Sequence, residues 1–324
     1  MSYSRLLPGN PCAQHLADLC FVRSGGRTFG EFGKGRVIRM IKSALGKVAR
    51  KMNRWLTEPP SATGPNDDWA GSYTMNPIYV EIMNHPGCRH SYSWGVMQSA
   101  RLAESLGIAR ITAIEFGVAG GTGLIALENI AEKVEAIFAP RIDVLGFDTG
   151  VGLPKPEDFR DMPNLWSTGS FPMDVDKLKA RLKRARLILG PVHETVPEFV
   201  QNHPAPVAFV SFDLDLYSST KAAFTLFDAD HSFLLPRVHC YFDDILGYTF
   251  GDHVGERLAI EEFNASHALR KISPIHGLRY YAPERYANRM WEKNYMAHFF
   301  DHTLYGRYDR MINPEIQRER CGLA

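Results

Sequence analysis

Six carboxylates and one glycine-rich turn carry the chemistry that can be read from this sequence. The stretch ITAIEFGVAGGTG (Ile111–Gly123) is a short apolar run holding Glu115, followed by Gly117, Gly120, Gly121, Thr122 and Gly123. Asp148 closes a second apolar run, IDVLGFD (142–148). Asp213 closes a third, PVAFVSFD (206–213), with Asp215 two residues on. The run VHCYF (238–242) leads directly into Asp243-Asp244. Each run reads as a buried strand, and glycine lets the backbone of the turn approach a ligand closely. In open α/β sheets ligands bind in the crevice outside the carboxyl ends of the strands. Acids at four such ends therefore converge on one crevice, suited to a cation and to hydroxyl groups.

A ligand with a ribose and an ammonium group matches that lining. Asp148 is placed to accept from two ribose hydroxyls, and Glu115 to hold an ammonium, directly or through water. S-adenosylmethionine has both features, adds a sulfonium charge and carries no phosphate. A dinucleotide competes. Gly121-x-Gly123-x-x-Ala126 fits the G-x-G-x-x-A fingerprint, with Asp148 slightly beyond the usual distance. Against it, Glu115 would lie close to a pyrophosphate, and the turn carries no compensating cation.

The elements that must position these groups alternate between strand and helix. Leu124, Leu127, Ile130, Ala131 and Val134 recur at helical spacing after the glycine turn. Upstream, 76–84 reads as a short helix with Pro77 in its first turn. Ser91 caps a second helix with Trp94, Met97, Leu102 and Leu106 on its apolar face, ending at Gly107. These two helices precede the first strand and make Tyr73, Tyr79, His85, His90, Tyr92 and Trp94 available to line a substrate site, while each taken singly reads more readily as a packing or surface residue. Further along, 175–185 is a basic helix, 187–189 a third strand, and a helix starts near Lys221. Residues 256–268 form another helix, and short strands are expected at 271–275 and 278–281. The loop 149–171 is long and rich in turn residues, the kind that in compact domains is functional or disordered. The alternation predicts an α/β fold, a doubly wound Rossmann-like sheet with helices on both faces.

Composition narrows the function further. The 324 residues are 45% apolar, enough for a sizeable core, and the net charge of +1 offers no global field for nucleic acid. The five cysteines contain no C-x-x-C pair. This favours a reducing compartment, hence a cytoplasmic protein, and argues against a zinc site. No apolar run approaches a membrane span and no signal-peptide pattern is present.

The segment 36–56 stands apart as an added N-terminal helical segment. Val37, Ile41, Leu45, Val48, Met52 and Trp55 share one face, and the other is basic. Three readings stay open: packing on the domain or on a second copy in a homo-oligomer, peripheral contact with an anionic membrane, and disorder. The expected organisation is an N-terminal extension with helix and linker over 1–71, a catalytic domain over 72–285, and an irregular aromatic and basic tail over 286–324.

The sequence resembles the class I S-adenosylmethionine-dependent methyltransferases, and more closely the macrocin O-methyltransferase type that modifies deoxysugars. The resemblance rests on Glu115-x-Gly117-Val118 leading to Gly120-Gly121, one residue shorter than the family's turn, and on Asp148-Thr149-Gly150-Val151-Gly152-Leu153-Pro154. It continues through Gly190-x-x-x-Glu194-Thr195-Val196-Pro197, Asp213-x-Asp215-Leu216-Tyr217-x-Ser219-Thr220 and Asp243-Asp244. Order and spacing agree over about residues 75–282. Pro236-Arg237 replaces the family's usual Pro-Gly-Gly turn, and the two ends of the chain have no counterpart. The resemblance implies the methyltransferase fold and an O-methyltransferase acting on a small polar acceptor such as a sugar, with no nucleic acid involved. It also implies that Asp213, Asp243 and Asp244 hold a divalent metal, most simply magnesium. Carboxylates gathered at two strand ends do repel one another unless a cation or protons intervene. The residues alone leave another arrangement open, in which Asp213 or Asp215 acts as base and Asp243-Asp244 cap the next turn. Asp215 or His85 is a candidate to receive the acceptor's proton. Two competing readings are a methyltransferase-like protein that binds without catalysis and a nicotinamide-dependent oxidoreductase.

Overall fold

The computed structural model describes residues 82, 87–202, 204–247, 250–280 and 291–307. All of these fall within one compact unit, Asp67–Ala324. The basic helix and linker expected before residue 72, the helix expected at 76–84 apart from Ile82, and the residues Tyr73, Tyr79 and His85 lie outside the described residues.

The chain alternates as expected. Helix α1 (His90–Ser105) leads to β1 (Arg110–Phe116), α2 (Thr122–Glu135) and β2 (Arg141–Asp148). Then come α3 (Val175–Arg181), β3 (Arg186–Leu189), α4 (Val192–Gln201), β4 (Val207–Phe212), α5 (Tyr217–Ala223) and β5 (Leu234–Phe242). Helix α6 (Gly255–Ser266), β6 (Arg270–Pro274) and β7 (Asn294–Phe299) complete the described part.

The strands form one seven-stranded sheet in the order β3-β2-β1-β4-β5-β7-β6. Strands β1 to β5 pair in parallel, while β7 is antiparallel to both β5 and β6. The strand order reverses between β1 and β4, which defines the switch point where such sheets open a crevice. Side chains alternate along a strand, so residues three apart face opposite sides. Phe209 and His239 lie against α1 at Gly95, whereas Phe212 and Phe242 pack with Phe224 and Phe263 on the other face. Helices therefore cover both faces of the sheet. Strand β4 is buried along its whole length, as a central parallel strand must be.

Several boundaries differ from expectation, each for a local reason. Helix α3 stops at Arg181 because the buried carboxylate of Glu128 collects the amides of Lys183, Arg184 and Ala185. Ser91 does not cap α1, since the cap position belongs to Arg89 and no side chain caps there. Helix α5 begins at Tyr217, four residues before Lys221. Strand β5 starts at Leu234 and carries Pro236 where its pairing with β4 shifts register, a place that tolerates a residue without an N–H. The motif after Gly190 opens a helix, α4, which contains Pro197.

The largest corrections concern the C-terminal part. Residues 278–280 form a 3-10 turn, not a strand. The strand instead comes from Asn294–Phe299, within the segment expected to be an irregular surface tail, and it slots between β5 and β6. Its core-facing residues do not alternate cleanly with polar ones, so periodicity alone does not mark it.

Candidate active site

One cavity of about 850 Å³ opens at the carboxyl ends of the parallel strands, and all six carboxylates singled out above line it. The backbone places them. Pairing continues one residue past each strand: Gly117 N–H donates to Phe147, Asp213 N–H to Phe116 and Asp243 N–H to Phe212, each at 2.9 Å. The acids are thus fixed to the sheet before their side chains make any contact.

On the β1–β2 side Asp148 is tightly satisfied. Asp148 Oδ2 accepts from the amides of Val118 and Ala119, both at 2.9 Å, and Oδ1 accepts from Gly150 at 2.7 Å. A carboxylate offers about four acceptor positions, so roughly one remains on Oδ1 for a ligand hydroxyl, where two were expected. The carboxylate draws the glycine turn over the end of β1. Gly117 has φ +80°, and a Cβ there would lie 1.7 Å from the Asp213 carbonyl oxygen. Gly120, Thr122 and Gly123 also line the cavity, while Gly121 (φ +80°) is the cap of α2 and packs on Leu178.

Glu115 lies beneath the start of α2, where a Cβ on Gly123 would meet its Oε1 at 1.8 Å. Its exposure is 1%, so any ammonium must come to the carboxylate at the cavity floor. Oε1 accepts from the Tyr92 hydroxyl at 2.9 Å, and that oxygen also bonds Ser211 Oγ at 2.6 Å. Oε2 is buried without a partner. Burial, partly offset by Arg89 and Tyr92, raises the Glu115 carboxyl to about 8. Tyr92 is therefore a buried prop beneath Glu115 and not a substrate contact. Trp94 packs edge-on against Trp291.

The β4–β5 side is different. Asp213, Asp215, Asp243 and Asp244 face one cavity, and Glu256 lies behind them, accepting from the Asp244 amide. Burial and then repulsion by Asp243 and Asp244 raise Asp213 to about 7. Burial and then Asp244 raise Asp215 to about 8. Burial and then Asp243 raise Asp244 to about 6, and burial pushes Glu256 well above the ordinary carboxyl range. Asp244 Oδ2 and Glu256 Oε1 are buried without partners. Asp215 sits at φ +62°, centred on a tight turn in which Leu216 N–H donates to Leu214 O at 2.6 Å. A non-glycine residue held there stores strain, which clusters at functional sites.

Asp243 is the exception among these acids. Burial alone would raise it, but the Tyr241 hydroxyl at 2.7 Å and Lys293 Nζ at 2.9 Å hold it below the ordinary range. The donor set of hard carboxylate oxygens, two of them orphaned, suits a divalent cation. As arranged, no three His, Cys, Asp or Glu among the described residues form a group that could hold a metal ion.

Two charged side chains beside these acids escape a reading of the sequence. Arg89 lines the cavity and donates to the Tyr92 hydroxyl at 3.1 Å, between Glu115 and Asp213. Its only signal is a lone cation at the entry to a helix that precedes the first strand. Lys293 comes from the C-terminal segment and had no signal at all. His193 also lines the cavity.

The long loop after β2 forms the remaining wall. The buried Asp161 pins it by accepting from the Glu157 amide and from the Ser218 amide and hydroxyl. This brings Leu153, Lys155, Trp166, Ser170 and Phe171 to the cavity. Trp166 Nε1 is buried there without a partner.

No protein-family model matches the sequence, and no curated protein matches it. Among solved structures, the calicheamicin methyltransferase CalS11 is 22% identical over 67% of this chain and 96% of its own, with a TM-score of 0.42. The O-methyltransferase NovP is 17% identical over 53% of this chain and 71% of its own, with a TM-score of 0.39. An O-methyltransferase from Bacillus cereus, in complex with SAH, is 10% identical over 73% of this chain and 92% of its own, with a TM-score of 0.36. At this identity and degree of superposition they are likenesses, from which no activity passes to this chain.

Proposed function

We propose that this chain is an S-adenosylmethionine-dependent O-methyltransferase acting on a hydroxyl of a small polar molecule such as a sugar. The observation that carries the reading is the shared cavity. A glycine turn, Glu115 and Asp148 lie at one end, and a cluster of carboxylates able to take up a proton lies at the other. A cavity of about 850 Å³ has room for a cofactor and a small acceptor together. The amides of Val118 and Ala119, which a dinucleotide's pyrophosphate would need, are already bonded to Asp148. That favours a cofactor with a sulfonium and no phosphate. Lys155, Ser170 and the unpartnered Trp166 N–H add the polar groups and aromatic surface that suit a hydroxylated acceptor.

When bound, S-adenosylmethionine supplies an electrophilic methyl group, and the C–S electron pair departs with the neutral thioether. The residues of the chain orient and deprotonate. Glu115, whose Oε2 has no partner, would hold the ammonium, and Asp148, with acceptor capacity left on Oδ1, would hold a ribose hydroxyl. Asp213 or Asp215 would take the acceptor's hydroxyl proton, a role supported by carboxyls raised to about 7 and 8, which suit a general base near neutral pH. Asp213, Asp243 and Asp244 are the residues that would hold a magnesium ion, which supplies Lewis acidity toward an acceptor oxygen.

Calorimetric titration of the purified full chain with S-adenosylmethionine and with NAD separates the two cofactor readings. The expected result is binding of the former alone. Micromolar binding of NAD with no response to S-adenosylmethionine overturns the proposal.

A further inference from the structure

Arg89 brings a cation to the cavity lining beside Glu115. Its guanidinium lies over the Tyr92 ring, 5.1 Å from the ring centre, and Nη1 donates to the Tyr92 hydroxyl at 3.1 Å. That hydroxyl donates in turn to Glu115 Oε1 at 2.9 Å. One phenolic oxygen therefore touches both the acid and the cation and fixes them as neighbours. The mount is itself held. Tyr92 is fully buried, bonded to Ser211 Oγ and packed on Phe209 and Tyr241. Both charged groups keep unspent capacity. Glu115 Oε2 has no partner. Among the described residues Arg89 spends one side-chain donor, on Tyr92, and a guanidinium carries five. Lys155 and His193 also line the cavity, but both are exposed and neither shares a partner with Glu115 among the described residues.

We propose that Arg89 binds the carboxylate of the cofactor's amino-acid head, so that Arg89 and Glu115 form one clamp for a zwitterion. In an α-amino acid the ammonium and the carboxylate are bonded to a single carbon. Their receptors must therefore stand side by side and carry opposite charge, as Glu115 and Arg89 do across Tyr92. The planar fork of a guanidinium matches the two oxygens of a carboxylate. The clamp also selects its ligand, because a compound with the ammonium but no carboxylate leaves the cation unmet. This inference rests on the S-adenosylmethionine reading proposed above.

The test is a binding cycle on the full-length protein, read by calorimetry. Wild type and Arg89→Met are each titrated with S-adenosylmethionine and with decarboxylated S-adenosylmethionine, which keeps the ammonium and the sulfonium. The wild type is expected to prefer the carboxylated compound by about 10–100-fold, the size of a hydrogen bond between charged groups. Arg89→Met is expected to lose that preference, binding the two compounds within about threefold of each other. A role limited to propping Tyr92 and Glu115 weakens both compounds alike and keeps the preference, and that result overturns the proposal. A second measurement needs no variant. In wild-type crystals grown with the thioether product S-adenosylhomocysteine, its carboxylate is expected on the Arg89 guanidinium. A carboxylate seated elsewhere overturns the proposal even if Arg89→Met fails to fold, as does equal wild-type affinity for the two compounds. A wild type that binds neither compound removes the methyltransferase reading itself. A preference that persists in Arg89→Met removes only the role of Arg89.

Discussion

The two ends of the cavity solve opposite electrostatic problems. At the β1–β2 end a single carboxylate, Asp148, collects three backbone amides, and its charge is spread over a turn built to receive it. At the β4–β5 end four aspartates and Glu256 crowd together, two of their oxygens have no partner, and Lys293 bonds Asp243 alone. The first end is preorganised and can receive a ligand without rearranging. The second is short of positive charge and holds protons instead, with three of its aspartates titrating between about 6 and 8. The contrast matches a division of labour between holding a cofactor and moving a proton.

Three experiments test that contrast. The largest effect is expected at the charge-poor end. Asp213→Asn lowers turnover by about 10²–10⁴-fold while leaving S-adenosylmethionine affinity within about threefold. Release of the thioether product with hydroxylated acceptors measures the first, and calorimetry the second. Loss of cofactor binding in step with turnover would erase the distinction between the two ends.

Next comes the turn itself. Gly117→Ala places a methyl group 1.7 Å from the Asp213 carbonyl oxygen at φ +80°. It is expected to cost about 3 kcal/mol or more of stability in chemical denaturation. A stability change within about 0.5 kcal/mol would show that the turn is not built as described.

The smallest effect concerns Glu115. Its carboxyl titrates near 8 in the folded chain against 4.5 for the unperturbed group, so the native state binds the proton more tightly than the unfolded one. Its contribution to stability is therefore fully present below the unfolded value and is lost as pH rises through the folded one. Ligand-free protein should lose stability between about pH 5 and 8, and Glu115→Gln should flatten that slope, stabilising by about 1–2 kcal/mol at the upper end. Melting curves across this range measure it. A slope that persists unchanged in Glu115→Gln assigns it to other groups.

Much of this arrangement was legible in the order of residues. Apolar runs ending in Glu115, Asp148, Asp213 and Asp243 announce parallel strands and the crevice at their ends, because buried strands of such sheets are nearly continuous in apolar residues. The helix after Gly123 was legible for the same reason, through its 3.6-residue period. Strand β7 was not. Its partners are β5 and β6, its pattern of burial is uneven, and nothing local distinguishes 294–299 from the irregular chain around it. The helix opened by Val192 was hidden by Pro191 and Pro197, both of which read as turn residues.

Residue types and their spacing were enough to define the sheet, the turn and which acids gather at the crevice, since these follow from short-range periodicity and from the geometry of parallel strands. The charge state of those acids came only with tertiary structure. Whether Asp148 collects three amides, whether Glu115 is buried under α2, and whether Asp243 meets a lysine 50 positions away all depend on contacts between distant segments. A carboxylate's pKa and availability are set by burial and neighbours, and neither is written in the order of residues around it.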